Sequence, residues 1–173
     1  MEGRVVKQPR RIDIETLRAM LSYCPESGRI TWLINRPRGV KAGDEFGGMN
    51  AIGYRVGCVN GVQVGAHRVA WALLHGVWPD SWLDHKNLNR SDNRAENLRK
   101  CSVSQNIANI ATTCRNKSGV KGVCWNKRSG KWQAGIKVQG KSYHLGLHET
   151  LAQATAARMK AANDRFGEFA RHA

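Results

Sequence analysis

Apolar residues recur along this chain with two different periods. In the last third, Trp132, Ala134, Ile136 and Val138 alternate with Lys131, Gln133, Gly135 and Lys137, the period of two that turns one face of a strand to a core and the other to water. Val120 to Trp125 and Ser142 to Leu147 read as flanking strands, with turns at Arg128-Ser129-Gly130 and Gln139-Gly140. Leu151, Ala154, Ala157, Met159, Ala161 and Ala162 then follow helical spacing, with Thr150 and Gln153 at capping-box distance before them and Gly167 placed to end the helix. The pattern predicts a three-stranded antiparallel sheet packed on one helix, whose small alanines let it lie close on the Trp132 face.

Earlier in the chain the elements are shorter. Asp13 is placed to cap a helix bearing Ile14, Leu17, Met20 and Leu21, and Pro25-Glu26-Ser27-Gly28 is a turn into an apolar run from Arg29 to Ile34. Tyr54 to Cys58 and Val62 to Ala66 flank Asn60-Gly61, a strong hairpin signal, and His67 to His75 reads as an apolar helix stopped by Gly76. Trp82-Leu83-Asp84-His85 predicts a short strand, Asn87 to Asn93 a polar loop, and Leu98 to Cys101 a returning strand. Ser102 or Ser104 can cap a following helix through Gln105, Asn106, Ile107, Asn109 and Ile110, and Ser102 and Gln105 have capping-box spacing. The fold class expected is α+β, with a linker-like boundary near Cys114 to Ser118 dividing residues 1–114 from 115–173.

Charge adds a partner to this outline. Against 13 Asp+Glu stand 28 Lys+Arg, a formal net charge of +15, which points to a polyanion. Arg115 to His148 carries eight of these cations (Arg115, Lys117, Lys121, Lys127, Arg128, Lys131, Lys137, Lys141) and no acid. A membrane surface is also anionic, but no apolar run approaches the ~18 residues of a spanning helix, and Met1 to Lys7 has no signal-peptide core. Nucleic acid is the partner expected. Five cysteines, odd in number and without a C-x-x-C pair, give neither a disulfide framework nor a zinc knuckle and suit a reducing cytoplasm.

Asp84-His85, followed by Asn97 and Asn106, is the candidate chemistry. A carboxylate beside an imidazole, with two later carboxamides, supplies a base, an oxygen pair for a hard metal and an orienting group, the parts that phosphodiester hydrolysis needs. With Ala66 to Trp71, Trp78-Pro79, Asn93-Arg94 and Glu96 to Arg99 around it, the set resembles the HNH endonuclease family in the form common among phage homing endonucleases. The resemblance implies a strand-strand-helix metal core (ββα-metal) spanning about 66–112. It makes His85 the general base, Asn97 the group that holds it, and Asp84 and Asn106 the ligands of one divalent cation. Asn106 stands where many members have a metal-binding histidine, and an amide oxygen favours Mg²⁺ or Mn²⁺ over Zn²⁺. His67 can reach a phosphate or satisfy a buried contact, and Arg36, Arg38 and Lys41 lie in a glycine-rich loop that either touches phosphate or is only solvated.

Residues 117–169 resemble the plant ethylene-response-factor type of DNA-binding domain, which lays a three-stranded sheet in the major groove of double-stranded DNA. By that resemblance Lys121, Lys137 and His144 fall on the groove face, and Trp125, Lys127 and Arg128 at or near the first turn beside it. The plant pattern has arginines where this chain has Cys124, Asn126 and Ser142, so its base preference does not carry over. The whole implies a DNA-cutting enzyme of phage type acting in a bacterial cytoplasm. The alternatives are a regulator that kept the scaffold without the activity, and a ribonuclease.

Overall fold

In the computed structural model of the chain, which describes residues 12–109 and 116–170, Asp13 caps the first helix. Its carboxylate accepts from the Thr16 backbone N–H at 2.7 Å and the Thr16 hydroxyl at 2.6 Å, satisfying donors a helix start leaves open. This helix, α1 (Ile14–Met20), ends one residue sooner than its apolar spacing predicts. Leu21 is extended, with φ −135°, and opens β1 (Leu21–Tyr23), which pairs antiparallel with β2 (Ile30–Trp32). Leu21 is buried either way, and strand pairing also satisfies its backbone. Ile110, Cys114 and Arg115, part of the expected third helix and boundary, lie outside the described residues, as does Met1 to Lys7.

The chain divides into two compact units, Met1–Lys100 and Cys101–Ala173. In the first, β3 (Gly48–Met49), β4 (Arg55–Val59) and β5 (Val62–Gly65) form an antiparallel sheet in that order. Asn60 and Gly61 turn β4 into β5 with φ of 49° and 80°, the left-handed pair a two-residue hairpin requires. Next comes α2 (Ala66–His75), closed at Gly76, whose N–H donates to the Ala72 carbonyl. The core gathers Leu17, Leu21, Ile30, Phe46, Val59, Ala66, Val69 and Ala70, all at most 2% exposed, each large side chain contributing about 1.5–3 kcal/mol. After α2, β6 (Trp82–His85) pairs with β7 (Leu98–Cys101), and a 3₁₀ turn, Ala95–Asn97, leads into β7.

The second unit holds α3 (Val103–Asn109), started by a reciprocal box: the Ser102 N–H donates to Gln105 Oε1 at 2.8 Å and the Gln105 N–H to Ser102 Oγ at 3.2 Å. Its sheet is β8 (Val123–Asn126), β9 (Lys131–Val138) and β10 (Lys141–His148), antiparallel with β9 central. Ala134 and Ile136 are buried against α4 (Leu151–Phe166), which carries the full Thr150–Gln153 capping box. The buried stripe of α4 is Ala154, Arg158, Ala162 and Phe166; an arginine takes a place among the alanines that the sequence pattern does not foretell. It fits because Gly122 has no side chain: a Cβ there would lie 2.8 Å from Arg158 Nε. The architecture is mixed α and β, with four helices and several small antiparallel sheets among the described residues.

Candidate active site

Asp84 and His85 close β6, both buried at 7% and 3% exposure. Leu83 before them anchors the strand, and the polar loop that follows releases the chain just past the imidazole. Arg99, on the paired strand β7, donates from Nε and Nη2 to the same Asp84 oxygen, Oδ2, each at 3.0 Å. Burial of both partners makes this ion pair a dependency: removing the cation strands a carboxylate away from water.

Asn97 staples the loop. Its Oδ1 accepts from the Asn87 N–H at 2.9 Å and its Nδ2 donates to the Asp92 carbonyl at 2.7 Å, while its own carbonyl accepts from the Lys86 N–H at 2.9 Å. The residue just after His85 is therefore tied to Asn97 through backbone and the next through side chain. Leu88, with its N–H on the His85 carbonyl at 3.0 Å, is held at φ 66°, a region costly for such a side chain. Asp92 braces the far end: Arg94 hydrogen-bonds, followed by the Asn87 amide, draw its carboxyl down to about 2.

The carboxamide that faces the imidazole is that of Asn93, with Oδ1 3.4 Å from His85 Nε2. Asn93 also closes the loop: its carbonyl accepts from the Tyr23 hydroxyl at 2.8 Å. Gly28 makes room for this approach. A Cβ there would lie 2.6 Å from the Arg94 nitrogen, so the Pro25–Gly28 turn lies directly against the site loop. The signal in the sequence was Asn93 at i+8 from His85 inside a short loop, too common a spacing to single out.

His85 lies in a ring cluster. The His67 ring meets it edge-on with centroids 5.5 Å apart, and Tyr54 lies 5.9 Å from His85 and 5.3 Å from His67. Burial lowers the His85 pKa, opposed by the Asn93 contact and the Asp84 charge. Burial, then the neighbouring His85 and Arg68, push His67 down to about 3. Both imidazoles are neutral near pH 7, the form in which a histidine takes a proton. His67 Nδ1 is buried and has no hydrogen-bond partner among the described residues.

Asn106 lies half-buried on α3, in the second unit, with its N–H donating to the Ser102 carbonyl at 2.9 Å. The expected DNA-contacting residues divide by strand parity. Lys137 and His144 line a shallow groove of about 750 Å³ on the open side of the sheet, with Gln133, Gly135 and Cys124. Trp125 pairs with Trp132 across β8 and β9 and meets it edge-on at 5.2 Å, which places it on the side opposite that groove. Lys127 and Arg128 are exposed in the β8–β9 turn. The Lys121 ammonium donates to the Ile107 and Ala108 carbonyls at the end of α3.

Residues 64–108 match the HNH endonuclease family, a stretch that contains Asp84, His85, Asn97 and Asn106, so an HNH endonuclease domain occupies this part of the chain. The chain is also 27% identical over 106 residues to Protein 3.8 of Escherichia phage T7, across 61% of this chain and 87% of that protein. No solved structure matches it significantly. No described helix is long and apolar enough to cross a membrane.

Proposed function

We propose that the chain is a metal-dependent endonuclease that hydrolyses phosphodiester bonds of double-stranded DNA. The observation that carries this reading is a neutral, buried imidazole, His85, beside the Asp84 carboxylate at the end of β6, within a matched HNH endonuclease domain. His85 takes the proton of a water as its oxygen bonds to phosphorus, and the bond from phosphorus to the 3′ oxygen breaks, the leaving oxygen collecting a proton from solvent. Asn97 and Asn93 keep the loop and ring in place while this happens.

The donors suit a hard cation. Asp84 would offer a carboxylate oxygen and Asn106 an amide oxygen, hard donors of the kind Mg²⁺ or Mn²⁺ takes. A hard cation bound at Asp84 would supply positive charge at the phosphate. One such site cuts one strand, so a single encounter nicks.

Holding the duplex falls to the second unit. Residues 115–173 carry +9 (12 basic minus 3 acidic) against +6 (16 minus 10) for residues 1–114. Lys137 and His144 on the open sheet face, with Lys127 and Arg128 at the turn, form the contact surface, in keeping with the ethylene-response-factor resemblance. Supercoiled plasmid incubated with Mg²⁺ should yield nicked circles, and none with EDTA. Unchanged plasmid despite duplex binding would contradict the reading and make the chain a DNA-binding regulator.

A further inference from the structure

Four described arginines of the first unit pair with carboxylates: Arg18 meets Glu15, Arg55 meets Glu45, Arg94 meets Asp92 and Glu96, and Arg99 meets Asp84. Arg90 does not, yet its guanidinium is held on two sides. Nη1 donates to the Ile52 carbonyl at 2.8 Å, and the guanidinium carbon sits 5.1 Å from the Tyr54 ring centroid. That same ring is 5.9 Å from His85. Ordering an exposed arginine costs side-chain entropy. Here the ordering leaves Nε and Nη2 without an acceptor among the described residues.

Arg36 is held in a similar way, by the Cys58 carbonyl at 2.8 Å and the Trp32 ring at 4.3 Å. It shares no ring with the site. Arg90 alone of the two rests on an aromatic that also neighbours His85, which joins its remaining donors to the ring cluster of the site.

We infer that Arg90 is a phosphate-binding catalytic residue, its Nε and Nη2 donors taking a non-bridging oxygen of the scissile phosphodiester. This rests on the endonuclease reading above. As the water oxygen bonds to phosphorus and the bond to the 3′ oxygen breaks, negative charge grows on the non-bridging oxygens, and a planar fork already in place favours that state over the ground state.

The test is single-turnover cleavage of a labelled duplex by the full chain with saturating protein and Mg²⁺, comparing wild type, His85→Ala, Arg90→Ala and Arg90→Lys, with duplex binding and melting temperature measured for each. Arg90→Ala should cut about 100-fold more slowly with melting and duplex affinity near those of wild type. Arg90→Lys, which keeps charge without the fork, should fall between. Millimolar guanidinium should restore part of the Arg90→Ala rate and none of the His85→Ala rate. An Arg90→Ala enzyme within about threefold of wild type, beside an inactive His85→Ala, overturns the inference and leaves the endonuclease reading standing. A slow Arg90→Ala that melts well below wild type and gains nothing from guanidinium assigns Arg90 a structural role and also overturns it. A wild-type protein that cuts nothing removes the reading itself, and the inference with it.

Discussion

Asn97→Ala removes two hydrogen bonds at once from the loop that carries the chain past His85. The wild-type carboxamide is 4% exposed, accepts from the Asn87 N–H at 2.9 Å and donates to the Asp92 carbonyl at 2.7 Å. Each bond contributes about 1 kcal/mol net, and a group left without a partner away from water adds to the loss, so the substitution should cost about 2–4 kcal/mol locally. That free energy is read most directly as amide exchange in residues 86–97 of the full chain, because local opening need not unfold the rest. At 1.4 kcal/mol per decade, exchange at Asn87 should quicken about 30- to 1000-fold. Asn97→Asp should not rescue it: one oxygen still accepts from Asn87, but the other now opposes the Asp92 carbonyl. Unchanged protection at Asn87 in Asn97→Ala would refute the idea that this side chain staples the loop.

Arg99→Ala leaves the buried Asp84 carboxylate without its guanidinium partner and should lower the unfolding free energy of the first unit by about 3 kcal/mol; a urea midpoint equal to that of wild type would contradict the pairing. His67 titrates near 3 in the folded chain against an ordinary 6.5, so between those values the unfolded chain binds a proton that the folded one refuses. Stability should therefore fall as pH drops through that window, by up to about 1.4 kcal/mol per pH unit from this one group, with His85 adding in the same direction. His67→Phe should flatten the slope by about one proton, and a denaturation series from pH 7 to 4 in which both proteins lose stability equally would contradict that. Lys137→Ala should reduce by about one unit the slope of log affinity for duplex against log salt; an unchanged slope and an unchanged site preference together would remove Lys137 from the contact surface.

Local patterns carried much of the fold, for reasons visible in single elements. The strand Lys131–Val138 coincides with its predicted bounds because alternation, flanking glycine turns and a one-sided core all agree. Thr150 with Gln153 and Ser102 with Gln105 announced helix starts that the structure makes with reciprocal bonds. What could not be read depended on distant partners. Leu21 leaves α1 because Trp32 waits opposite it, and β3 is only two residues, paired with β4, with no period to detect.

The site was legible as residue types more than as contacts. Asp84, His85 and Asn97 stood out by spacing, but Arg99 as the partner of Asp84 and Asn93 as the partner of His85 follow from strand pairing and loop closure. Arg158 is the plainest surprise. Its Nε and Nη1 are buried without hydrogen-bond partners among the described residues, and helical spacing alone would have turned an arginine outward. Trp125 sits opposite the groove by strand parity, which follows once its pairing with Trp132 is known.

The central claim is that His85 is the base of a DNA-cutting site. It is tested most directly by the single-turnover rate constant for cleavage of a labelled duplex, measured for wild type and His85→Ala at saturating protein with duplex affinity determined alongside. The account expects a rate at least about 100-fold lower with affinity nearly unchanged, since phosphate contacts elsewhere hold the DNA. A His85→Ala protein that cuts as fast as wild type, or that loses affinity in proportion to rate, would contradict it.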